Sequence, residues 1–232
     1  MCTDLITLEQ LDYNEALRYM GCKDGKADKL TLSLLEECEQ LVLKNCIPRY
    51  RYAFFTIQKQ ENGIVVGDTT LLLTGNDISK HLEHCFGIVL LCATVSGKID
   101  TLIRTTQLSD MTKALIINSF SGVAIEQLCD KLEEEIHLVI QQKFPQCYTT
   151  WRYSPGYGDL PITLQKEILT VLDAPRKIGL CATESMTLTP IKSVTAVIGL
   201  SYEPVAASKR GCSCCNLKNV CPFRKAGSHC VG

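Results

Sequence analysis

The run "FGIVLLCATV", which begins at Phe86, constrains the fold most strongly, because nearly every position in it is apolar. A continuous apolar run of this length is typical of a strand that is buried on both faces. The run is too short to cross a bilayer, and we expect no membrane segment. The sequence therefore predicts a globular protein that is built around one buried central strand.

Helical and strand patterns surround this run in mixed blocks. Helical spacing is found over residues 9–20, 27–45, 98–143 and 162–172, and in "NDISKHLEHCF", with a break expected near Ser121-Gly122. Strand patterns occur in "RYRYAFFTIQ", "IVVGDTTLLL", "KIGLCAT" and "SVTAVIGL". Because the elements do not alternate regularly, the order favours an α+β fold with a mainly antiparallel twisted sheet and flanking helices.

Composition and charge narrow the classes of function. The formal net charge of −1 argues against a nucleic-acid-binding protein. The first residues, "MCTDLITLEQ", contain no apolar segment of a signal peptide, so we expect a cytoplasmic protein. The pattern changes after Pro204, which predicts one domain over residues 1–205 and a separate Cys-rich, basic tail over 206–232.

Motifs for conventional catalysis are missing from the sequence. It contains no GxxxxGK[ST] loop, no GxGxxG fingerprint after a strand, no HExxH and no GxSxG. His81 and His84 are interpreted as exposed residues of a helix rather than metal ligands. We therefore predict no catalytic nucleophile or base, and a functional site has to be sought in groups that bind a ligand.

Such groups are concentrated in "TTWRYSPGYGDLPITLQ", residues 149–165. The segment Ser154-Pro155-Gly156-Tyr157 predicts a type II turn, with a positive φ at Gly156 that lets a ligand approach the backbone. Arg152 has the geometry to bind a carboxylate through two parallel hydrogen bonds, while Tyr153 and Tyr157 could flank an aromatic or cationic ligand. The alternative is a structural turn with core aromatic residues and a surface arginine.

Two blocks carry a resemblance to a known family. "RYSPGY" resembles the R-x-x-x-G-Y motif of the reactivation domain of cobalamin-dependent methionine synthase, in which the motif binds S-adenosylmethionine. "ATESMTLTPIKSVTAVIGLSYEP", which begins at Ala182, resembles that family's "TES…P…SVSG…HP" segment. The blocks occur in the family's order, and "EALRYMGCKDG" and "CATVSGKIDTLIR" are similar to the stand-alone form of the domain, so the resemblance covers roughly residues 10 to 205.

The resemblance implies a cofactor site at the predicted turn. The motif falls on Arg152, Gly156 and Tyr157, and the family's ligand-facing backbone position falls on Ser154. In the family the arginine holds the carboxylate of S-adenosylmethionine, which agrees with the chemistry expected for Arg152 from the turn itself.

Further contacts are implied outside the turn. Glu184 and Ser185 match the "TES" of the family, with a capped polar pair at a strand end as the structural alternative. An acid from the preceding long helix is expected to meet the amino group of the cofactor, with Glu126 as our candidate and Glu133 to Glu135 as alternatives. The family's tyrosine-rich stretch after "HP" is replaced by "VAASKRGC", so that contact is missing or is supplied by Tyr202.

The family's reaction is the rescue of cob(II)alamin by an electron and a methyl group from S-adenosylmethionine. The cobalamin-binding DxHxxG motif is absent from the sequence, which implies a methionine synthase component that acts in trans on a separate corrinoid-binding chain. A flavodoxin-like or ferredoxin-like reductant is the second implied partner. Two alternatives stay open: a reactivator of another corrinoid methyltransferase, and a metal-binding or electron-transfer accessory protein.

The second alternative rests on the tail. Cys212 and Cys215 form a C-x₂-C pair, Cys221 follows six residues later, and Cys230 is a candidate fourth ligand. Thiolates with this spacing suit zinc or an iron–sulfur cluster, and the basic residues around them favour thiolates or an acidic partner. A reduced tail without metal is the remaining interpretation.

We expect protein purified without oxygen to contain near-stoichiometric zinc or iron, which elemental analysis would measure. Because ligand thiolates must deprotonate, the metal should be lost at acid pH. A Cys212→Ser/Cys215→Ser variant with the same substoichiometric metal content as the parent would exclude a metal centre in the tail.

Overall fold

A computed structural model of the protein describes residues 6–21 and 29–205. The helices in this part are α1 (Tyr13–Tyr19), α2 (Lys29–Asn45), α3 (Asn76–His81), α4 (Gly97–Gln107), α5 (Met111–Lys143), α6 (Leu164–Val171) and α7 (Ala174–Ile178). The strands are β1 (Arg49–Gln60), β2 (Gly63–Val66), β3 (Leu72–Leu73), β4 (Gly87–Thr94), β5 (Tyr148–Thr149), β6 (Cys181–Ala182), β7 (Leu188–Thr189) and β8 (Ser193–Ser201).

The strands form a six-stranded sheet in the order β3-β2-β1-β4-β8-β5 and a two-stranded sheet of β6 and β7. The pairs β1–β2, β2–β3, β5–β8 and β6–β7 are antiparallel. Strand β4 is buried at every position, as the apolar run predicted. The predicted α+β fold with an antiparallel sheet is therefore confirmed.

The chain divides into two compact units. Among the described residues, the first unit contains those up to Arg51, Cys92–Val139 and Ala174–Val194. The second unit contains Tyr52–Leu91, Ile140–Asp173 and the residues from Thr195 onward. The expected separate tail over 206–232 lies outside the described residues and stays a prediction.

In the first unit, the buried carboxylate of Glu39 on α2 holds the segment that enters α1. Its two oxygens accept hydrogen bonds from the backbone N of Leu11 at 2.8 Å and from the Tyr13 hydroxyl at 2.7 Å. The ring of Tyr13 then packs edge-on against Phe120 of α5, with 5.3 Å between the centroids. Asp12 begins α1 by accepting hydrogen bonds from the backbone N of Asn14 and Glu15, which is a common way to satisfy a helix N-terminus.

The predicted helix break near Ser121-Gly122 is wrong, because α5 runs through both residues. The Ser121 hydroxyl donates to the carbonyl oxygen of Ile117 at 2.6 Å, so its polar group is satisfied inside the helix. A Cβ added at Gly122 would lie 3.3 Å from the Tyr19 ring, so the small residue makes room for this ring. The chain breaks instead between α4 and α5, where the Asp110 carboxylate accepts a hydrogen bond from the backbone N of Lys113 at 2.9 Å.

The strand predicted in "KIGLCAT" is shorter than expected. Only Cys181 and Ala182 form β6, because α7 continues to Ile178 and Gly179 follows with φ of 70°. The helix ends with a hydrogen bond from the backbone N of Gly179 to the carbonyl oxygen of Pro175. A positive φ of this kind is a common helix ending that glycine adopts without strain.

Within residues 6–21 and 29–205, no helix is both long enough and apolar enough to cross a membrane.

Candidate functional site

The type II turn predicted at Ser154-Pro155-Gly156-Tyr157 is confirmed in the second unit. The carbonyl oxygen of Ser154 accepts a hydrogen bond from the backbone N of Tyr157 at 3.1 Å, and Gly156 has φ of 89°. The backbone N of Gly156 also donates to the carbonyl oxygen of Leu160 at 2.8 Å. The turn therefore belongs to a compact loop over residues 151–160, which we call the arginine loop.

Arg152 is buried in this loop. Its side chain is only 6 % exposed, and it takes part in interactions within the protein. The alternative of a surface arginine is therefore wrong. A guanidinium is always charged, and a buried charge is costly unless it has hydrogen-bonding or ionic partners. Arg152 is thus a cation that the fold holds in a defined place.

The backbone around Arg152 is paired as a strand. The backbone N of Tyr153 donates to the carbonyl oxygen of Val197 on β8 at 2.8 Å, and the reverse hydrogen bond has the same length. This isolated β-bridge is four residues beyond Thr149 on one side and three residues before Leu200 on the other, although Thr149 and Leu200 pair directly in β5 and β8. The segment that contains Arg152 therefore has one extra residue and bulges from the sheet.

An aromatic cluster lies next to Arg152 and consists of Trp151, Tyr153, Tyr157 and His81. The ring centroids of Trp151 and Tyr153 are 5.0 Å apart, and Tyr157 lies 5.5 Å from Trp151 and 5.3 Å from Tyr153. Tyr153 is only 3 % exposed, and its expected contact with a ligand stays a prediction. Tyr157 is half-buried and keeps part of its surface accessible.

His81 was expected to be exposed, and this prediction is also wrong. Its ring lies 4.7 Å from Trp151 and 4.9 Å from Tyr153, and its Nε2 is 3.0 Å from the carbonyl oxygen of Trp151. Burial lowers the pKa of His81 to about 4, although the hydrogen bond to Trp151 acts in the opposite direction. The signal for this burial was the position of His81 three residues after Ile78, which is fully buried on α3.

The far end of the arginine loop is attached to the start of α3. The carboxylate of Asp159 accepts hydrogen bonds from the backbone N of Asn76 at 2.5 Å and of Asp77 at 3.0 Å. A Cβ at Gly75 would lie 2.5 Å from the same carboxylate, so a glycine is needed for this close approach. The sequence did not indicate this role of Asp159, because a single Asp more than 80 residues from its hydrogen-bond donors forms no recognisable motif.

Glu126 lies in the first unit, on α5, and takes part in interactions there. Burial is the main reason that the pKa of Tyr19 rises to about 12, and the negative charges of Glu15 and Glu126 add to this rise. Among the alternative acids, Glu135 accepts a hydrogen bond from the Tyr50 hydroxyl at 2.9 Å, and Glu134 is exposed.

Glu184 and Ser185 lie in the first unit, in the turn between β6 and β7. The Ser185 hydroxyl is 2.9 Å from Thr183 Oγ1 and 3.3 Å from Thr187 Oγ1, while Glu184 is exposed. Met186 completes the turn with φ of 63°. The hydroxyl groups thus stabilise a tight hairpin, and the carboxylate of Glu184 stays in contact with solvent.

The arginine loop brings Arg152, Ser154, Gly156 and Tyr157 together in the second unit, whereas Glu126, Glu184 and Ser185 belong to the first unit. Their assignment to one cofactor site stays a prediction.

Four cysteines of the described residues, Cys38, Cys85, Cys92 and Cys129, are buried, whereas Cys181 is exposed. Burial raises the pKa of Cys85 to about 11 and that of Cys92 to about 12, so these thiols stay protonated at neutral pH. The described residues contain no cluster of three or more His, Cys, Asp or Glu residues that could hold a metal ion. The predicted ligands Cys212, Cys215, Cys221 and Cys230 lie outside the described residues.

Comparison with known proteins supports the resemblance noted in the sequence. Residues 116–204 match the model of the activation domain of vitamin B12-dependent methionine synthase. The fold is similar to a solved structure of the MetH reactivation domain bound to AdoHcy, with a TM-score of 0.62 and 14 % identity over 95 % of this chain and 82 % of that chain. No curated protein matches the chain in sequence. The resemblance and the shared fold are therefore confirmed.

The half-buried His81 predicts an acid-sensitive fold. Its pKa is near 6.5 in the unfolded chain and about 4 in the folded protein, so its contribution to stability is complete above about pH 6.5 and is lost as the pH falls towards 4. We expect His81→Phe to remove this part of the pH dependence, which amounts to at most about 3 kcal/mol in the free energy of unfolding.

Urea denaturation between about pH 7 and pH 4.5 measures this effect. The matched control is His137→Gln, because His137 is exposed on α5. The control should retain the pH dependence of the wild type. Identical pH dependence in the wild type and in His81→Phe would contradict the interpretation of a neutral, half-buried His81.

Proposed function

We propose that this protein binds S-adenosylmethionine through the arginine loop and supports the reductive methylation of cob(II)alamin on a separate corrinoid methionine synthase chain in the cytoplasm. One observation carries the proposal: a buried arginine stands directly before a type II turn, inside the segment that matches the activation-domain family. We further propose that residues 1–205 perform this function and that residues 206–232 form an accessory tail.

The arginine loop offers groups that fit the amino-acid end of S-adenosylmethionine. The guanidinium of Arg152 suits the carboxylate, because its planar N–H groups can form two parallel hydrogen bonds with a carboxylate. Gly156 is exposed, so the backbone beside it is accessible to a ligand. Ser154 and Tyr157, the first and last residues of the turn, are half-buried and keep part of their surface accessible. The AdoHcy bound in the structural neighbour supports a ligand of this chemistry.

We assign the contact with the cofactor's ammonium group to Glu126, with Glu133 to Glu135 as alternatives. The charge of Glu126 already acts on Tyr19, so this carboxylate lies in an environment where it affects neighbouring groups. Glu184 and Ser185 are proposed as further polar contacts. The exposed carboxylate of Glu184 at the tip of the β6–β7 hairpin is accessible for such a role.

The proposed reaction requires the protein to position its cofactor and does not require acid–base catalysis. S-adenosylmethionine supplies the methyl group, and a flavodoxin-like or ferredoxin-like partner is proposed to supply the electron. The residues of this chain would hold the cofactor in one orientation and keep it there while the corrinoid approaches, which lowers the entropic cost of the transfer.

We expect Arg152→Ala to weaken S-adenosylmethionine binding by about 1.5–3 kcal/mol, the range for a hydrogen bond to a charged group. Arg152→Lys should recover only part of this loss, because an ammonium group cannot form the bidentate pair. Isothermal titration calorimetry measures all three proteins, with Arg104→Ala as a control for an exposed arginine on α4. Equal affinity in all of them would remove Arg152 from the site.

The complete function is tested by adding this protein to a methionine synthase that lacks its own reactivation domain. With a reductant and S-adenosylmethionine present, we expect the absorbance of cob(II)alamin to disappear and methionine synthesis to resume. Arg152→Ala and Tyr157→Ala should fail to support the recovery. Recovery at the same rate without this protein would contradict the proposed function and favour the accessory electron-transfer alternative.

A further inference from the structure

Helix α3 is attached to both ends of the arginine loop. His81, the last residue of the helix, contacts the loop at Trp151, and the backbone N of Asn76 and Asp77 at its start bond to Asp159. The segment from Arg152 to Tyr157, which contains the proposed ligand groups, lies between these two attachments. Both ends of α3 therefore contact the arginine loop, one on each side of the segment with the proposed ligand groups.

The contact of His81 has a specific consequence for Arg152. The carbonyl oxygen of Trp151 belongs to the peptide group that precedes the Cα atom of Arg152, and His81 Nε2 lies 3.0 Å from this oxygen. The backbone N of Tyr153 belongs to the peptide group that follows the same Cα atom, and it donates to the carbonyl oxygen of Val197 at 2.8 Å. One hydrogen bond thus holds each of the two peptide planes that flank Arg152.

A hydrogen bond on the peptide group at each side of a residue restricts both backbone dihedrals of that residue. The direction of the Cα–Cβ bond of Arg152 is then restricted as well, which limits the positions that the guanidinium can reach. A side chain whose backbone is held in this way loses less conformational entropy when it binds a ligand. His81 Nε2 must carry the proton in this arrangement, because a carbonyl oxygen can only accept a hydrogen bond.

The rings around His81 shield part of this hydrogen bond from water. Trp151 and Tyr153 stand on either side of Arg152 in the chain, and both pack against the imidazole, with centroids 4.7 Å and 4.9 Å away. A hydrogen bond that is partly shielded in this way is stronger than one fully exposed to water. The low pKa of His81 agrees with a neutral imidazole that donates from Nε2 at neutral pH.

We infer that His81 is a positioning residue for Arg152, and that α3, held at its other end by Asp159, pre-organises the arginine loop for its ligand. This inference rests on the proposed function, because it assumes that Arg152 binds the ligand. His81 itself would not touch the ligand. It acts by donating a hydrogen bond to the carbonyl oxygen of Trp151.

Two substitutions at His81 separate the hydrogen bond from the bulk of the ring. His81→Phe keeps an aromatic ring in the cluster and removes the donor. His81→Gln removes the ring and keeps an amide N–H near the position of Nε2. We expect His81→Phe to weaken S-adenosylhomocysteine binding about 3- to 10-fold, the effect of one lost neutral hydrogen bond, and His81→Gln to bind within about twofold of the wild type.

Loss of stability alone must be excluded as the cause. Ile64→Val on β2 serves as a control, because it trims a buried side chain of the same unit away from the arginine loop and should lower the melting temperature without weakening binding. Hydrogen–deuterium exchange without ligand provides a second measurement. Amides of residues 151–157 should exchange faster in His81→Phe than in the wild type or in His81→Gln.

The outcomes separate this inference from the proposed function. If the wild type fails to bind S-adenosylhomocysteine, both the proposed function and the inference are contradicted. If the wild type binds but His81→Phe binds equally well, or His81→Phe and His81→Gln are weakened equally, only the inference is overturned. If His81→Phe does not fold, Asp159→Asn tests the other attachment, and unchanged affinity and exchange in that variant would overturn the role of α3.

Discussion

The pair of backbone hydrogen bonds between Tyr153 and Val197 is the interaction on which the candidate site depends. Both bonds are 2.8 Å long, and they hold one short piece of chain in an extended conformation beside β8. The pairing follows a one-residue bulge, so the chain departs from a regular strand at Trp151 and Arg152 and returns to β8 at Tyr153. The same short segment packs Trp151 and Tyr153 into an aromatic cluster and buries the cation of Arg152.

The turn after this pairing was predictable from sequence because its cause is local. Proline fixes φ at the second position and glycine accepts the positive φ at the third, so Pro155-Gly156 specifies the turn without help from the rest of the chain. The buried strand β4 was predictable for a similar reason, because a strand that consists almost entirely of apolar residues is stable only in the protein interior. The break before α5 depends on a hydrogen bond of Asp110, and the short β6 depends on the conformation of Gly179. Neither can be predicted from the spacing of apolar residues.

The environments of individual side chains were harder to predict. His81 is distant in sequence from the arginine loop, and only the structure shows its contact with Trp151. Asp159 belongs to no motif, and only the structure shows its hydrogen bond with the start of α3. Arg152 illustrates the same limit, because an arginine beside a turn is usually exposed, whereas this one is 6 % exposed. The sequence motif predicts the chemistry of the arginine loop, but only the fold shows which of its groups are buried and paired.

The family model and the fold cover different amounts of the chain, and the difference is informative. The family model matches residues 116–204, which include most of α5, the arginine loop and the β6–β7 hairpin. The fold match reaches 95 % of the chain at 14 % identity, so the similarity to that structure is one of fold. Apolar patterns and strand pairing can preserve a fold in this way, whereas a group that binds a ligand must keep its chemistry.

A crystal structure of the protein grown with S-adenosylmethionine tests the central claim most directly. The measured quantities are the distances from the guanidinium nitrogens of Arg152 to the carboxylate oxygens of the ligand. We expect two parallel contacts of about 2.7–2.9 Å, with the Tyr153–Val197 pairing unchanged. A ligand bound elsewhere on the protein, with the guanidinium of Arg152 still turned to its partners in the protein, would contradict the account.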